Sequence, residues 1–483
     1  MYQTKKMNIR FALYLSAFLF LLLQYQEVLG RESIAEVGIA KVNITPPVGY
    51  AHYRGISTGV SDSLYTKAVV FKSVQGAFAI VICDLLWIER DLSVKVRRLI
   101  HKQTGIPFDN VILSATHTHT SPAYHFNILE LNASNRPSNY SDPLIMGMPY
   151  QEWLPTQIAS SVIQAFDNAQ QVLLETNTFQ VSGLSYNRRF ILLDGTVQMN
   201  PGMDNMDINR VAGTVDSTYS VILIRRAVDG KPLGCIANYG LHTDTFGSDK
   251  WSADFPGYLD KYLTERFGSE FISVFANGPC GDINHLDFLT KKKPMASAEI
   301  GNRLATEIVG NLGGFSREKI ELKAISSYVF APLQDFTEKE LAWATAHPLD
   351  SIYSERSFYT FRRSSKIRSL QRMRETAEAI PPSVSGASWT LPLLVQVLKI
   401  SDNTAIVGLP GELFSEFGKT VREASPFENT IIIELTHCHI GYVPTLEAFS
   451  QGGYEAINSR LAPGSGELLS QRAIDLLRKT TND

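Results

Sequence analysis

Apolar residues along this chain follow two rhythms, one of period two and one near 3.6. Residues 36–45, EVGIAKVNIT, alternate and stop at Pro46-Pro47, as a strand closed by a rigid turn would. The runs 67–74 and 77–85 are strand-like, and Gln75-Gly76 between them predicts a hairpin. Leu92, Val96, Leu99 and Ile100 recur at helical spacing over 91–103, and Gly105 stops that helix. NVILSAT at 110–116 is a short buried strand, so the order strand, helix, strand predicts an α/β crossover. A polar, turn-rich loop fills 123–150, and an amphipathic helix follows over 151–173. Further strands are predicted at 221–227, 235–241, 271–277, 321–331, 393–400, 405–409 and 430–436. Further helices are predicted at 255–267, Pro294 to Ile308, 335–346, 365–375, from about Glu412, and at 466–478. The pattern predicts an α/β fold with a mixed sheet core and flanking helices. It is read as a single large domain over 31–483, with a peripheral helical insertion at about 332–392.

The first thirty residues obey a different rule. Lys5, Lys6 and Arg10 precede the uncharged run FALYLSAFLFLLL at 11–23, and a short polar stretch leads to Gly30. A basic start, an apolar centre and a small residue at the end predict a signal peptide over 1–30. The run is shorter than the roughly 20 residues that span a bilayer. No other stretch is long and apolar enough, so no transmembrane segment is expected in the mature chain, and the protein is expected to be secreted or periplasmic. The chain has 45 Lys+Arg against 48 Asp+Glu, which excludes a polybasic nucleic-acid binder. Cys83, Cys235, Cys280 and Cys438 are far apart, three of them in or just after apolar runs, and are expected as buried free thiols.

The ten His residues are unevenly placed. His117 and His119 lie in SATHTHTSP, directly after a buried strand. On an extended segment they would point to opposite faces, whereas a turn in the loop would bring both inward. His242 follows CIANYGL, Glu412 follows AIVGLPG, and His437, His439 and Tyr442 follow TIIIEL. Ligands of open α/β sheets bind beyond the carboxyl ends of the strands. Four strands each delivering His, Glu or Tyr there suggest a metal site, with His117, His242 and Glu412 as a zinc-type set and an open position for water. Loop hydrogen bonding by the same residues is the plain alternative. Asp282, in NGPCGDINHLD, either caps a Gly-rich turn or belongs to an oxyanion nest. Asp254 is read as a helix cap or a site carboxylate. Arg188 and Arg189, in YNRRF, suit an anion or a surface ion pair. No G-x-S-x-G elbow in a strand-to-helix context, no H-E-x-x-H, no P-loop and no G-x-G-x-x-G is present.

Six segments, in order, resemble the catalytic domain of the neutral/alkaline non-lysosomal ceramidases. They are VGIAKVNITPPVGY, NVILSATHTHTSP, GLHTDTFGSDKWSADFPGY, NGPCGDINH, GLPGELF and IGYVPTLEAFSQGGYEA. The resemblance implies a secreted zinc amidohydrolase that cleaves the N-acyl bond of ceramide. It implies His117, His242, Glu412 and Tyr442 as metal ligands, with Tyr454 as the alternative to Tyr442. It implies His119 as the residue that meets the substrate, and Arg188, with Arg189 adjacent, as the oxyanion partner. The family carries a Ser after its Gly-Asp pair, where this chain has Asn284. An amide is a poor nucleophile, so metal-bound water is the expected nucleophile, with Asn284 as an oxyanion donor. No immunoglobulin-like domain is expected after the last motif. The substrate expected is a small molecule or a lipid, including one presented at a membrane surface, with no nucleic acid. Two other readings stand beside this one: a metal-dependent hydrolase of another extracellular polar substrate, and a non-catalytic secreted binding protein.

Overall fold

The computed structural model describes residues 36–481, except 53–54, 75, 123, 125–142, 291, 348–354 and 382–387. The predicted signal peptide and most of the 123–150 loop lie outside the described residues.

Strands β1 (Glu36–Asn43), β2 (Tyr65–Ser73) and β3 (Gly76–Cys83) form an antiparallel meander, with β2 and β3 joined as a hairpin. Helix α1 (Arg90–Thr104) ends on Gly105 in the left-handed region and carries the chain to β4 (Val111–Ala115), which pairs parallel with β3. That is the predicted crossover. Helix α2 (Tyr150–Asp167) then leads into β5 (Gln170–Gln180), β6 (Thr218–Arg226) and β7 (Pro232–Tyr239). Helix α3 (Phe255–Phe267) precedes β8 (Ile272–Asn277), parallel to β7, and α4 (Ser297–Gly310) follows. The resulting large sheet has the order β8-β7-β6-β5-β1-β2-β3-β4, with a short strand, Ser316–Arg317, also on β5.

A second sheet orders β9 (Lys323–Pro332), β10 (Thr390–Lys399), β11 (Thr404–Gly408) and β12 (Asn429–Ile433). β9 and β10 are antiparallel over ten residue pairs, and their connection carries α5 (Glu338–Ala346) and α6 (Glu355–Glu375). Helices α7 (Ser415–Ala424) and α8 (Ser465–Thr481) complete this half.

Period-two alternation decides what each strand buries. Val69 and Phe71 of β2, Ile80 and Ile82 of β3, and Ile222 and Ile224 of β6 share one core with Leu398, Ile406, Ile431 and Ile433 of the second sheet. Their neighbours Ala68, Val70, Ala79 and Val81 face the opposite way, against Leu92, Val96 and Ile100 of α1 and Leu154, Ile158 and Val162 of α2. Val221 and Leu223 meet α3 and α4 in the same manner. Val395, Val397 and Val407 on the outer face of the second sheet meet Ala473 and Leu477 of α8. The mixed α/β fold is therefore four layers deep: helices, sheet, sheet, helices. Being buried on both faces, the central strands read as near-continuous apolar runs. Gly38 lets β1 approach α2, since a Cβ there would collide with the Ala165 carbonyl.

Two predicted elements need correction. The helix expected over 151–173 stops at Asp167, and 170–180 is strand β5. Val172 and Leu174 fit a helical extension of the preceding pattern, but they alternate with outward residues and pair with β6. The helix expected from about Glu412 starts at Ser415. Glu412–Leu413 is a two-residue strand paired in parallel with Tyr442–Val443. All four cysteines are buried free thiols. No helix of the described residues is long and apolar enough to cross a membrane.

Candidate metal centre

The carboxyl ends of both sheets converge at one point. His117 follows β4 with φ of 68°, a left-handed conformation that ends the extended path. The loop thus turns both imidazoles inward, and the rings of His117 and His119 meet edge-on at 5.1 Å. Thr118 Oγ1 donates to Ser252 O at 2.7 Å, and His119 N donates to Thr243 O at 3.1 Å, tying the turn to the segment that carries His242. Asp254 holds that segment from its other end, accepting from Thr245 N at 2.8 Å, Phe246 N at 3.0 Å and Phe255 N at 2.6 Å. It is both a helix cap and a clamp on the loop, with φ of 60°.

One nitrogen from each of His117, His119 and His242 lies within 4.8 Å of the others. His117 Nδ1 meets Leu86 O at 2.7 Å, and His242 Nδ1 meets Cys280 O at 3.3 Å. A carbonyl only accepts, so each Nδ1 carries a proton and each Nε2 is the nitrogen turned to the centre. Those two Nε2 atoms face each other at 3.1 Å. Burial, with Arg188 and His117 nearby, holds the His242 imidazole well below its usual range and therefore neutral. A neutral His242 offers its Nε2 lone pair there, and either a proton on His117 Nε2 or a cation held by both nitrogens satisfies it. Two imidazole nitrogens on one tetrahedral zinc, each at about 2.0–2.1 Å, stand about 3.3–3.4 Å apart. The donor set fits such an ion.

Glu412 Oε2 lies 3.5 Å from His117 Nε2 and accepts no well-formed hydrogen bond. Burial raises its carboxyl, but His117 and Arg188 outweigh burial and hold it below the usual range. Tyr442 stands opposite Glu412 in the two-residue ladder. Burial, and then the Glu412 charge, push its phenol well above the ordinary value. Tyr454 meets Tyr442 edge-on at 5.4 Å, one ring further out.

Of the paired arginines, Arg188 faces the imidazoles. Its Nη1 is 3.4 Å from His242 Nε2, its Nη2 donates to Gly281 O at 2.8 Å, and its Nε donates to Glu455 Oε1 at 2.9 Å. Arg189 turns away to Gly452 O at 2.9 Å and to Glu455 Oε2 at 3.3 Å. Glu455 is fully buried between them. Burial opposes the Arg188 charge, but Tyr442 and Glu455 outweigh it and raise its pKa.

Asp282 supports this arrangement from behind, accepting from Asn187 Nδ2 at 2.7 Å and Ser415 N at 2.7 Å. Burial raises its carboxyl to about 6. Asn284 donates to Asn200 Oδ1 at 2.7 Å and accepts from Leu286 N at 3.0 Å. Both ends of its amide are thereby held in its own loop, and among the described contacts it makes none with the imidazoles. The other two strand-end histidines point elsewhere. His437 Nε2 contacts Gln396 Oε1, and the His439 ring stacks on Trp87 at 3.7 Å.

Sequence reasoning overlooked Glu455 and Glu434. Glu434 is fully buried, takes the Cys280 thiol at 3.0 Å and Leu413 N at 2.9 Å, and so braces the residues behind His242 and Glu412. A lone acid in TIIIEL or GGYEA looks no different from a solvated one until its partners are placed. The bracing thiol, at the centre of NGPCGD, was the closest available signal.

Residues 36–284, just over half of the chain, match the profile of the neutral/alkaline non-lysosomal ceramidases, N-terminal region. The chain belongs to this ceramidase family. It is 24% identical over 265 residues to neutral ceramidase A of Dictyostelium discoideum, across 52% of this chain and 34% of that protein. The matched region is thus about a third of that relative's length. The crystal structure of the neutral ceramidase from Pseudomonas aeruginosa superposes with a TM-score of 0.64 at 20% identity, covering 92% of this chain and 74% of that one. A ceramidase complexed with C2 gives 0.66 at 19%, covering 93% and 75%. At these identities the likeness establishes the ceramidase fold.

Proposed function

We propose that the protein is an extracytoplasmic, zinc-dependent hydrolase of an N-acyl amide bond, ceramidase-like in its chemistry. Family membership supports the reaction class. The observation that carries the metal reading is the 3.1 Å approach of two buried Nε2 atoms whose Nδ1 partners are backbone carbonyls. His117, His242 and Glu412 would hold the ion, and Tyr442, across the ladder from Glu412, is the fourth ligand in preference to the more distant Tyr454. When bound, the ion supplies Lewis acidity toward the amide carbonyl and a water of lowered pKa.

The chain's own residues supply the remainder. His119 is the least enclosed of the three imidazoles, and its Nδ1 lies 3.6 Å from Asp244 Oδ2. It takes a proton as the carbonyl is attacked and returns it to the leaving nitrogen. Arg188, fixed by Glu455 and Gly281, places positive charge where the oxyanion develops, at no reorganisation cost during the reaction. Asp282 and Asn284 act one step removed, by fixing the loops that carry Arg188. Residues 1–30 are a secretory leader that delivers the enzyme out of the cytoplasm.

The test is fatty-acid release from ceramide and from a panel of N-acyl amides, with and without chelator, alongside the zinc content of the purified protein. His117→Ala is expected to lose both zinc and activity. Full activity in that variant, or a protein that neither holds zinc nor responds to chelation, would overturn the proposal.

A further inference from the structure

The three clustered imidazoles differ in what holds their Nδ1 atoms. Those of His117 and His242 each meet a backbone carbonyl, Leu86 O at 2.7 Å and Cys280 O at 3.3 Å. The Nδ1 of His119 instead faces a side-chain carboxylate, Asp244 Oδ2, at 3.6 Å. A carbonyl is neutral and fixes a ring without asking anything of its charge. A carboxylate fixes the ring and also favours a second proton on it.

The chain places Asp244 there by anchoring its neighbours on both sides. Before it, His119 N donates to Thr243 O at 3.1 Å, and Thr243 Oγ1 donates to Thr116 O at 2.6 Å. These two bonds bind the His117–His119 turn to the segment that follows His242. After it, Thr245 N and Phe246 N donate to Asp254 Oδ2 at 2.8 Å and 3.0 Å. The main chain at 243 and 245 is therefore set, and the short Asp244 side chain has only two torsions left to adjust. The gap of 3.6 Å is longer than a hydrogen bond, and a small rotation about those torsions closes it when substrate displaces water. Burial lowers the His285 imidazole, and Asp254 and then Asp244 oppose this, so Asp244 is the lesser of the two carboxylates acting on that ring.

We propose that Asp244 is the positioning residue of the acid–base step: it holds the His119 ring and keeps the proton on Nδ1, so that Nε2 is the atom that carries the substrate's proton. The inference rests on the hydrolase reading above and adds the group that makes His119 competent for it. A carboxylate only accepts, so the nitrogen facing it is the donor and the other nitrogen keeps its lone pair. In the reaction the water oxygen bonds to the carbonyl carbon, and its proton passes to His119 Nε2. The C–N bond then breaks, and the same proton goes to the leaving nitrogen. Asp244 keeps its charge throughout, as the orienting acid of a Ser-His-Asp triad does.

The test compares the zinc-loaded full chain with Asp244→Asn, which keeps size and shape but presents an amide that can donate to Nδ1 and so favours the wrong tautomer. With N-dodecanoyl sphingosine as substrate, kcat is expected to fall by about tenfold to a hundredfold, with KM and zinc content unchanged. Nitrogen NMR of the protein labelled at histidine reads the tautomer directly, the His119 signals being those missing from His119→Ala. Nδ1 of His119 is expected to carry the proton in the wild type, and Nε2 in Asp244→Asn. Wild-type kcat or an unmoved proton in Asp244→Asn would overturn the proposal. Zinc lost in step with activity would also overturn it, because Asp244 would then only shape the loop of His242. The spectrum needs no turnover, so it judges Asp244 separately from the hydrolase reading, which fails if the wild type neither holds zinc nor releases fatty acid.

Discussion

Glu455→Gln is the sharpest test of how the site is held. Glu455 is fully buried and serves two guanidinium groups, Arg188 Nε at 2.9 Å and Arg189 Nε at 3.3 Å. Glutamine keeps the volume and one acceptor but removes the charge, leaving two buried cations facing a neutral amide. Breaking one buried pair from one side costs about 3–5 kcal/mol. Arg188 keeps Gly281 O at 2.8 Å and Arg189 keeps Gly452 O at 2.9 Å, so a loss near the lower end, about 3 kcal/mol, is expected. Urea unfolding followed by far-UV circular dichroism reads it as a shifted midpoint at unchanged slope. Arg189→Met in the same chain removes one of the stranded charges, so the double variant should lose clearly less than the sum of the two singles. A loss below about 1 kcal/mol, with additive singles, would refute the reasoning and show that the arginines are neutralised by other groups.

Gly281→Ala would drive a Cβ into the backbone carbonyl of Glu412, with its carbon 2.9 Å away. Glu412 must shift, and zinc affinity by chelator competition is expected to fall by at least about tenfold; wild-type affinity would remove Glu412 from the centre. Burial raises Asp84 to about 6 from 3.8, with Tyr65 N and Lys67 only partly offsetting it. The native state therefore binds that proton more tightly than the unfolded chain, and between about pH 4 and pH 6 this group contributes stability that falls as pH rises, by up to about 1.4 kcal/mol per pH unit. Asp84→Asn should gain on the wild type across that window in urea titrations, and a constant difference would reject the raised pKa. Asn284→Ser should not raise turnover, because the position is tied to Asn200 and Leu286; a large increase would show that a hydroxyl there does chemistry.

Much of this was legible in the sequence, for identifiable reasons. The alternation in β2 and β3, the Gly105 stop and the 255–267 helix are local, and local patterns survive folding. His117, His242 and Glu412 were marked by their positions just past apolar strands, which is a property of topology. Two sheets packed face to face were not legible, because a strand buried on both sides reads the same whatever covers it. The choice between Arg188 and Arg189 was equally closed: adjacent residues on extended backbone face opposite ways, and only the placed imidazoles show which side matters. The inward turn at His117 rests on one left-handed φ, which no residue type in HTH announces.

The ladder between Glu412–Leu413 and Tyr442–Val443 lies in the second sheet's half of the molecule, whereas His117 and His242 hang from the first. An ion gripped from both sides would be a rivet through the seam, since neither half alone presents the full set. Ligand binding to the docked form alone adds about 4.1 kcal/mol when free metal stands 1,000-fold above its dissociation constant. Metal supply would then govern how long the molecule survives proteolysis as well as how fast it works.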